Sequence, residues 1–413
     1  MKFLPICSLI TACSLIFSTP CLADQQPESP YDTVVTEYQS DTMYQDFETL
    51  PALPTAATAE ELSLSCTSAL LMEKSTGTIL YEMNANERRA PASITKVMTL
   101  LLIMESIEEG KIALTDKVTG SAHARSMGGS QIWLEEGETM SVDDLLKAVC
   151  VASANDGAVA LAEHHSGSEE AFVAAMNRRA LTLGMMDTNF VNCCGLDADN
   201  HYTTAKDIAI MSRELLNHPL ITQYSTLWMD TLREGKTQLV NTNKLVRFYQ
   251  GATGLKTGTT DDAGYCVAAS AQKNNMELIA VVLNGATGDK RFSDAKSLLN
   301  YGFANYALAY VTPEETLLNP LPVVHGTQKA VELIALPAGP FLVEKGNERS
   351  VVAQYTPADC VEAPVTQGQV VGKITYLLNN TPIGESNVVA TTSVPAMSFS
   401  VALAQIWAKC IKM

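Results

Sequence analysis

Three short clusters in this 413-residue chain hold side chains able to attack, deprotonate and bind. Ser93-Ile94-Thr95-Lys96 sets a hydroxyl and an amine three residues apart at a predicted helix start, which brings both onto one face within hydrogen-bond reach. A serine needs a base to be a nucleophile at neutral pH. A lysine serves when burial or a positive helix N-terminus disfavours its charged form. Residues 93–107 are apolar almost all round, so this helix is predicted to run through a core with Lys96 in dry surroundings. Ser270-Ala271-Gln272-Lys273 and Ser293-Asp294-Ala295-Lys296 repeat the spacing without the apolar helix, so burial singles out the first.

Ser153-Ala154-Asn155 falls at a break between two helical stretches, one opening at Ser141-Val142-Asp143-Asp144 and the next covering residues 156–165. Ser and Asn at such a break commonly serve as caps, and taken alone this tripeptide reads that way. Lys256-Thr257-Gly258 lies on a predicted strand over residues 254–260. An extended peptide could pair along the edge of such a strand, with Lys256 and Thr257 holding its carboxylate. A hairpin over residues 68–83, turning at Ser75-Thr76-Gly77, and a strand pair over 268–272 and 278–283, joined by Lys273-Asn274-Asn275, complete the frame around these clusters.

The conjunction and order of the three clusters decide between these readings. The chain resembles the serine penicillin-recognising peptidases, and within them the low-molecular-mass D-alanyl-D-alanine carboxypeptidases. The likeness runs through Pro91-Ala-Ser-Ile-Thr-Lys-Val-Met-Thr, Ser153-Ala-Asn-Asp-Gly-Ala, Asn241-Thr-Asn-Lys and Gly254-Leu-Lys-Thr-Gly-Thr-Thr-Asp-Asp-Ala-Gly-Tyr. It implies an α+β fold, an antiparallel sheet flanked by helices, followed by a small all-β domain. It also implies roles: Ser93 as the nucleophile that is acylated, Lys96 as its base, and Ser153 as a proton relay. Asn155 would contact the substrate amide, Lys256 and Thr257 the terminal carboxylate, and the backbone amides of Ser93 and Thr259 would form the oxyanion hole. The implied substrate is the peptidoglycan stem peptide, and β-lactams would acylate the same serine. Two departures from the family pattern stand out: the pair Cys193-Cys194 within Asn192-Cys-Cys-Gly-Leu, read as packing filler, and Ala154 where relatives have Gly, harmless unless a positive φ is needed there.

Composition narrows the alternatives. With 28 basic against 45 acidic residues the net charge is -17, which disfavours nucleic acid as a partner. The ten Cys and six His include no HExxH, CxxC or CxxH spacing, so neither a metal nor another cofactor is expected. Residues 1–23 read as a signal peptide and 24–61, with nine carboxylates and no Lys or Arg, as an acidic tether. The peptidase domain is expected over 62–310 and a β domain over 311–394, where short alternating segments follow one another closely. Over 395–413, Phe399, Leu403, Ile406, Trp407, Cys410 and Ile411 recur at helical spacing, with Ser398, Gln405, Lys409 and Lys412 opposite. Such a helix either lies in a membrane surface or docks on its own domain. Localisation is accordingly expected outside the cytoplasm, at the outer face of the membrane or free. A β-lactamase and a non-catalytic wall-binding protein remain as alternatives, distinguished by fast deacylation and by failure to release D-alanine.

Overall fold

Alternation in the strand sequences builds a sheet covered on both faces, and the computed structural model describes it within residues 62–313 and 318–411. The expected signal segment, the acidic tether and Lys412 lie outside the described residues. Strands β1 (Ser68–Glu73), β2 (Ile79–Met83), β3 (Ala252–Thr260), β4 (Gly264–Lys273) and β5 (Met276–Gly285) form an antiparallel sheet in the order β2-β1-β5-β4-β3. Leu70, Met72, Ala268, Ile279 and Val281 point into one core, while Leu71, Val267, Ala269, Leu278 and Ala280 point into a second on the other face. This two-sided alternation is what a sheet between helical layers requires. The hairpin joining β4 to β5 turns on Asn274 and Asn275, both at positive φ, the conformation tight hairpins demand.

Helix α1 (Lys96–Glu108) runs through the larger core with Val97 to Met104 buried, as its all-round apolar sequence predicts. A 3-10 turn over Ala92–Thr95 precedes it, so Ser93 sits in the tighter turn and Lys96 opens the α-helix. Side chains three apart in a 3-10 turn eclipse, which aligns Ser93 with Lys96 more closely than α geometry would. Helix α2 (Val142–Val151) starts at Ser141, whose hydroxyl accepts from the Asp144 amide, and α3 (Asn155–Ser166) follows after a three-residue break. Helix α4 (Ala205–Leu215) covers the same face, and α5 (Gly288–Asn305) covers the other with Phe292, Ala295, Leu298 and Leu299.

Beyond Tyr306–Ala309, which pairs with Phe341–Glu344, the chain forms an all-β module. Its main antiparallel sheet joins β6 (Leu333–Ala335), β7 (Val351–Thr356), β8 (Val370–Leu378) and β9 (Thr381–Ala390) in the order β6-β9-β8-β7. The Asn379-Asn380 turn joins β8 to β9 with both residues at positive φ. Helix α6 (Phe399–Ile411) closes the described chain, and Phe399 is 85% exposed and Trp407 66%. The described helices include none long and apolar enough to cross a membrane.

Candidate active site

The turn bearing Ser93 is clamped between two backbones that can come close only because each presents a glycine. A Cβ on Gly258, in β3, would stand 3.0 Å from the Ser93 amide nitrogen and 2.9 Å from the Pro91 carbonyl oxygen. On the other side a Cβ on Gly195 would fall 1.8 Å from the Ala92 carbonyl oxygen, and Gly195 holds φ at 88°. Gly195→Ala is therefore expected to lower kcat/KM about 10²-fold by displacing the Ser93 turn by some tenths of an ångström or more, and to lower Tm as well. Steady-state assays and thermal melts of that variant check it.

Lys96 is fully buried, and its Nζ has three acceptors: Ser93 Oγ at 3.0 Å, Asn155 Oδ1 at 2.5 Å and the Cys194 carbonyl at 2.7 Å. Three acceptors satisfy an ammonium. A neutral amine keeps two donor bonds to the carbonyl oxygens and turns its lone pair toward the Ser93 hydroxyl. Burial pushes this amine from its ordinary value down to about 8, against the opposing pull of Cys194, Cys193 and Asp156. Both protonation states are thus accessible near neutrality, as a general base requires.

The other predicted residues gather around this pair. Asn155 opens α3, and its Nδ2 donates to the Gly128 carbonyl at 2.6 Å, so both ends of its amide are engaged. Ser153, 4% exposed, is not among the three partners of Lys96; it holds φ at 62° in the break before α3. The positive φ falls on Ser153 and not on Ala154, whose φ is -58°, so the substitution at 154 is accommodated without strain. Lys256 is 1% exposed and donates to the Thr257 carbonyl at 3.0 Å. Burial first and the nearby Lys96 second hold its amine well below the usual lysine range. Thr257 Oγ1 donates to Thr242 Oγ1 at 2.7 Å, and Thr259 lies exposed at the outer end of β3. That strand ends the sheet order, so its outer edge faces the Ser93 turn without a further strand among the described residues.

Several groups in the site escaped sequence reasoning. The Cys193-Cys194 pair does pack as buried filler, yet its main chain also works: the Cys193 carbonyl accepts from Thr99 Oγ1 at 2.6 Å and the Cys194 carbonyl from Lys96. Asn192 Oδ1 organises that turn by accepting from the Gly195 amide at 2.6 Å and the Leu196 amide at 3.2 Å. Asn three residues before Gly is a turn signal that marks this loop in sequence, but a carbonyl ligand carries no side-chain signature. Arg291, from α5, donates to the Gly258 carbonyl and to Thr259 Oγ1, both at 2.9 Å, and so braces β3 beside the Ser93 turn. The described residues hold no group of three or more His, Cys, Asp or Glu placed to bind a metal.

A serine and a buried lysine within hydrogen-bond reach, beside an open strand edge, are the arrangement of a serine acyl-transfer enzyme. Residues 55–287 match the family D-alanyl-D-alanine carboxypeptidase, and residues 311–396 match Penicillin-binding protein 5, C-terminal domain. The chain is 43% identical over 343 residues to the D-alanyl-D-alanine carboxypeptidase DacF of Bacillus subtilis, covering 82% of this chain and 88% of that protein. It is similar in structure to penicillin binding protein 5 from Haemophilus influenzae, with a TM-score of 0.72 and 32% identity over 84% of this chain and 99% of the other. Penicillin-Binding Protein D2 from Listeria monocytogenes, solved in an ampicillin-bound form, is 34% identical with a TM-score of 0.53 over 58% of this chain and 98% of its own. The chain belongs to the D-alanyl-D-alanine carboxypeptidase family.

Proposed function

We propose that this enzyme removes the terminal D-alanine from peptidoglycan pentapeptide stems through an acyl-enzyme on Ser93. The observation that carries the reading is the buried Lys96 amine 3.0 Å from the Ser93 hydroxyl. Ser93 Oγ attacks the carbonyl carbon of the penultimate D-alanine while its proton passes to Lys96 Nζ. The amides of Ser93 and Thr259 stabilise the oxyanion, and loss of one such donor typically costs about 10²- to 10³-fold. The carbon–nitrogen bond then breaks, and the departing D-alanine takes up a proton relayed by Ser153. Lys256 and Thr257 hold the terminal carboxylate, and Asn155 exchanges one of its present bonds for the substrate amide. Water hydrolyses the ester and restores Ser93. A β-lactam acylates the same oxygen. The test is intact mass after benzylpenicillin with peptide mapping, combined with an assay of D-alanine released from a pentapeptide. An adduct on Ser93 that persists for many minutes, with D-alanine released, supports this reading; rapid penicillin turnover favours a β-lactamase, and binding without release favours a non-catalytic receptor.

The substrate lies in the wall, so the enzyme acts outside the cytoplasm, with residues 1–23 serving as its export signal. Helix α6 holds it at the outer face of the membrane by laying Phe399, Ile406 and Trp407 into the lipid interface; its exposed apolar residues support this. Burying one large aromatic contributes about 1.5–3 kcal/mol. Phe399→Ser with Trp407→Ser is therefore expected to weaken binding to anionic lipid vesicles by at least about 10²-fold in a sedimentation assay, leaving D-alanine release in solution unchanged. Undiminished sedimentation of the double variant would remove this role.

A further inference from the structure

Residues 126–138 form a loop against the Ser153-Ala154-Asn155 break, and at its tip an indole is held outward at the expense of backbone strain. Trp133 has φ 59° and is 74% exposed. A bulky residue in the left-handed region is a conformational outlier that persists only where its surroundings over-determine it. Here they do. The buried Asp156 carboxylate accepts from the Ile132 amide at 3.1 Å and the Leu134 amide at 2.9 Å, and both flanking side chains are 2% exposed. Arg233, itself held by Glu138, donates to the Ile132 carbonyl at 2.9 Å and the Trp133 carbonyl at 3.2 Å. Two inward anchors force the residue between them outward, yet the fold gains little buried area from the indole.

Position supplies the use. The loop's Ser130 carbonyl accepts from the Asn155 amide at 2.7 Å, and its Gly128 carbonyl accepts from Asn155 Nδ2. Trp133 lies three residues beyond Ser130, at most about 10 Å of chain, and an extended peptide advances about 3.3 Å per residue. An indole so placed is in reach of substrate residues just before the reacting D-alanine. Of the loop's two exposed glutamates, Glu135 is paired with Arg125 at 2.8 Å, and Glu136 is the carboxylate whose charge favours a cation beside the indole.

We infer that Trp133 is a specificity-determining residue that stacks on the side chain of the stem's third residue, a diamino acid with an apolar stem and a terminal ammonium. This rests on the carboxypeptidase reading and adds a subsite to it. The test compares kcat/KM for pentapeptides with lysine, norleucine or alanine at the third position, in wild type, Trp133→Ala, Trp133→Tyr and Trp133→Gly. Wild type is expected to prefer lysine to norleucine by about threefold, and Trp133→Ala to lose about tenfold on the lysine peptide but less than twofold on the alanine peptide. Trp133→Tyr is expected to keep most of the preference. Acylation by benzylpenicillin, which lacks that residue, is expected to stay unchanged. Trp133→Gly relieves the positive φ, so its Tm is expected to rise by about 2 °C while its peptide preference falls, a divergence that a merely structural residue does not give. Equal losses on all peptides, no loss on any, equal use of norleucine and lysine, or an effect confined to sugar-bearing substrates would each overturn the inference. Absence of D-alanine release by wild type would instead overturn the carboxypeptidase reading.

Discussion

Replacing Ser93 with alanine is expected to lower D-alanine release from a pentapeptide by about 10⁴-fold or more, with benzylpenicillin then adding no mass to the chain. The size of the expected loss follows from the site's construction, since Ser93 Oγ is the hydroxyl that the buried Lys96 amine reaches. Lys96 Nζ points at Ser93 Oγ, whereas Ser153 is not among its partners and is held in a strained break. Ser93 is half-buried, and loss of its hydroxyl still leaves Lys96 two acceptors, Asn155 and Cys194. The variant is therefore expected to melt within a few degrees of wild type, which separates lost chemistry from lost folding. Substrate analogues ending in D-alanine should still bind, because Lys256, Thr257 and the strand edge are untouched. A stable penicillin adduct on the alanine variant would move the nucleophile elsewhere, and mapping it to Ser153 would reverse the two serines' roles.

What the sequence made legible was whatever a side chain or a period writes into it. The all-round apolar run of α1 announces a buried helix, and a lysine at its first turn announces a perturbed amine. The strand bearing Lys256 and the hairpin turns on paired Asn residues were readable because period two and turn chemistry are local. The contributions made by main chain were not readable. The Cys194 carbonyl that receives Lys96, and the glycines that let β3 and residue 195 approach the nucleophile, matter through distances between segments far apart in the chain. Arg291 was hidden for a related reason: it acts across the sheet on carbonyls of β3 and β4, which no spacing within α5 reveals. Asn155, read as a substrate contact, also spends its oxygen on Lys96, so it sets which way the amine's lone pair faces, a pairing across 59 residues that no local spacing reveals.

That placement of Lys96 gives the second large effect. Lys96→Met, which keeps length and removes the amine, is expected to slow acylation by benzylpenicillin about 10²- to 10⁴-fold, the range a positioned general base supplies. In wild type the acylation rate should rise about tenfold per pH unit below the amine's value of about 8 and level off above it, because only the neutral form accepts the serine proton. The methionine variant should lose that rise. Stability carries the same titration with a definite sign. Between about pH 8 and pH 10.5 the unfolded chain holds a proton on this lysine that the folded chain has released, so stability increases with pH across that window. Below it, folding carries a cost of about 3 kcal/mol for keeping the ammonium buried. Urea midpoints should accordingly climb between pH 7.5 and 9.5 in wild type by more than in Lys96→Met, once other groups common to both are subtracted. In the methionine variant the Asn155 oxygen and the Cys194 carbonyl lose their donor, which offsets part of the recovered cost. Equal pH slopes in the two proteins, with acylation slowed less than tenfold, would show that this amine stays protonated through turnover and that Ser93 loses its proton by another route.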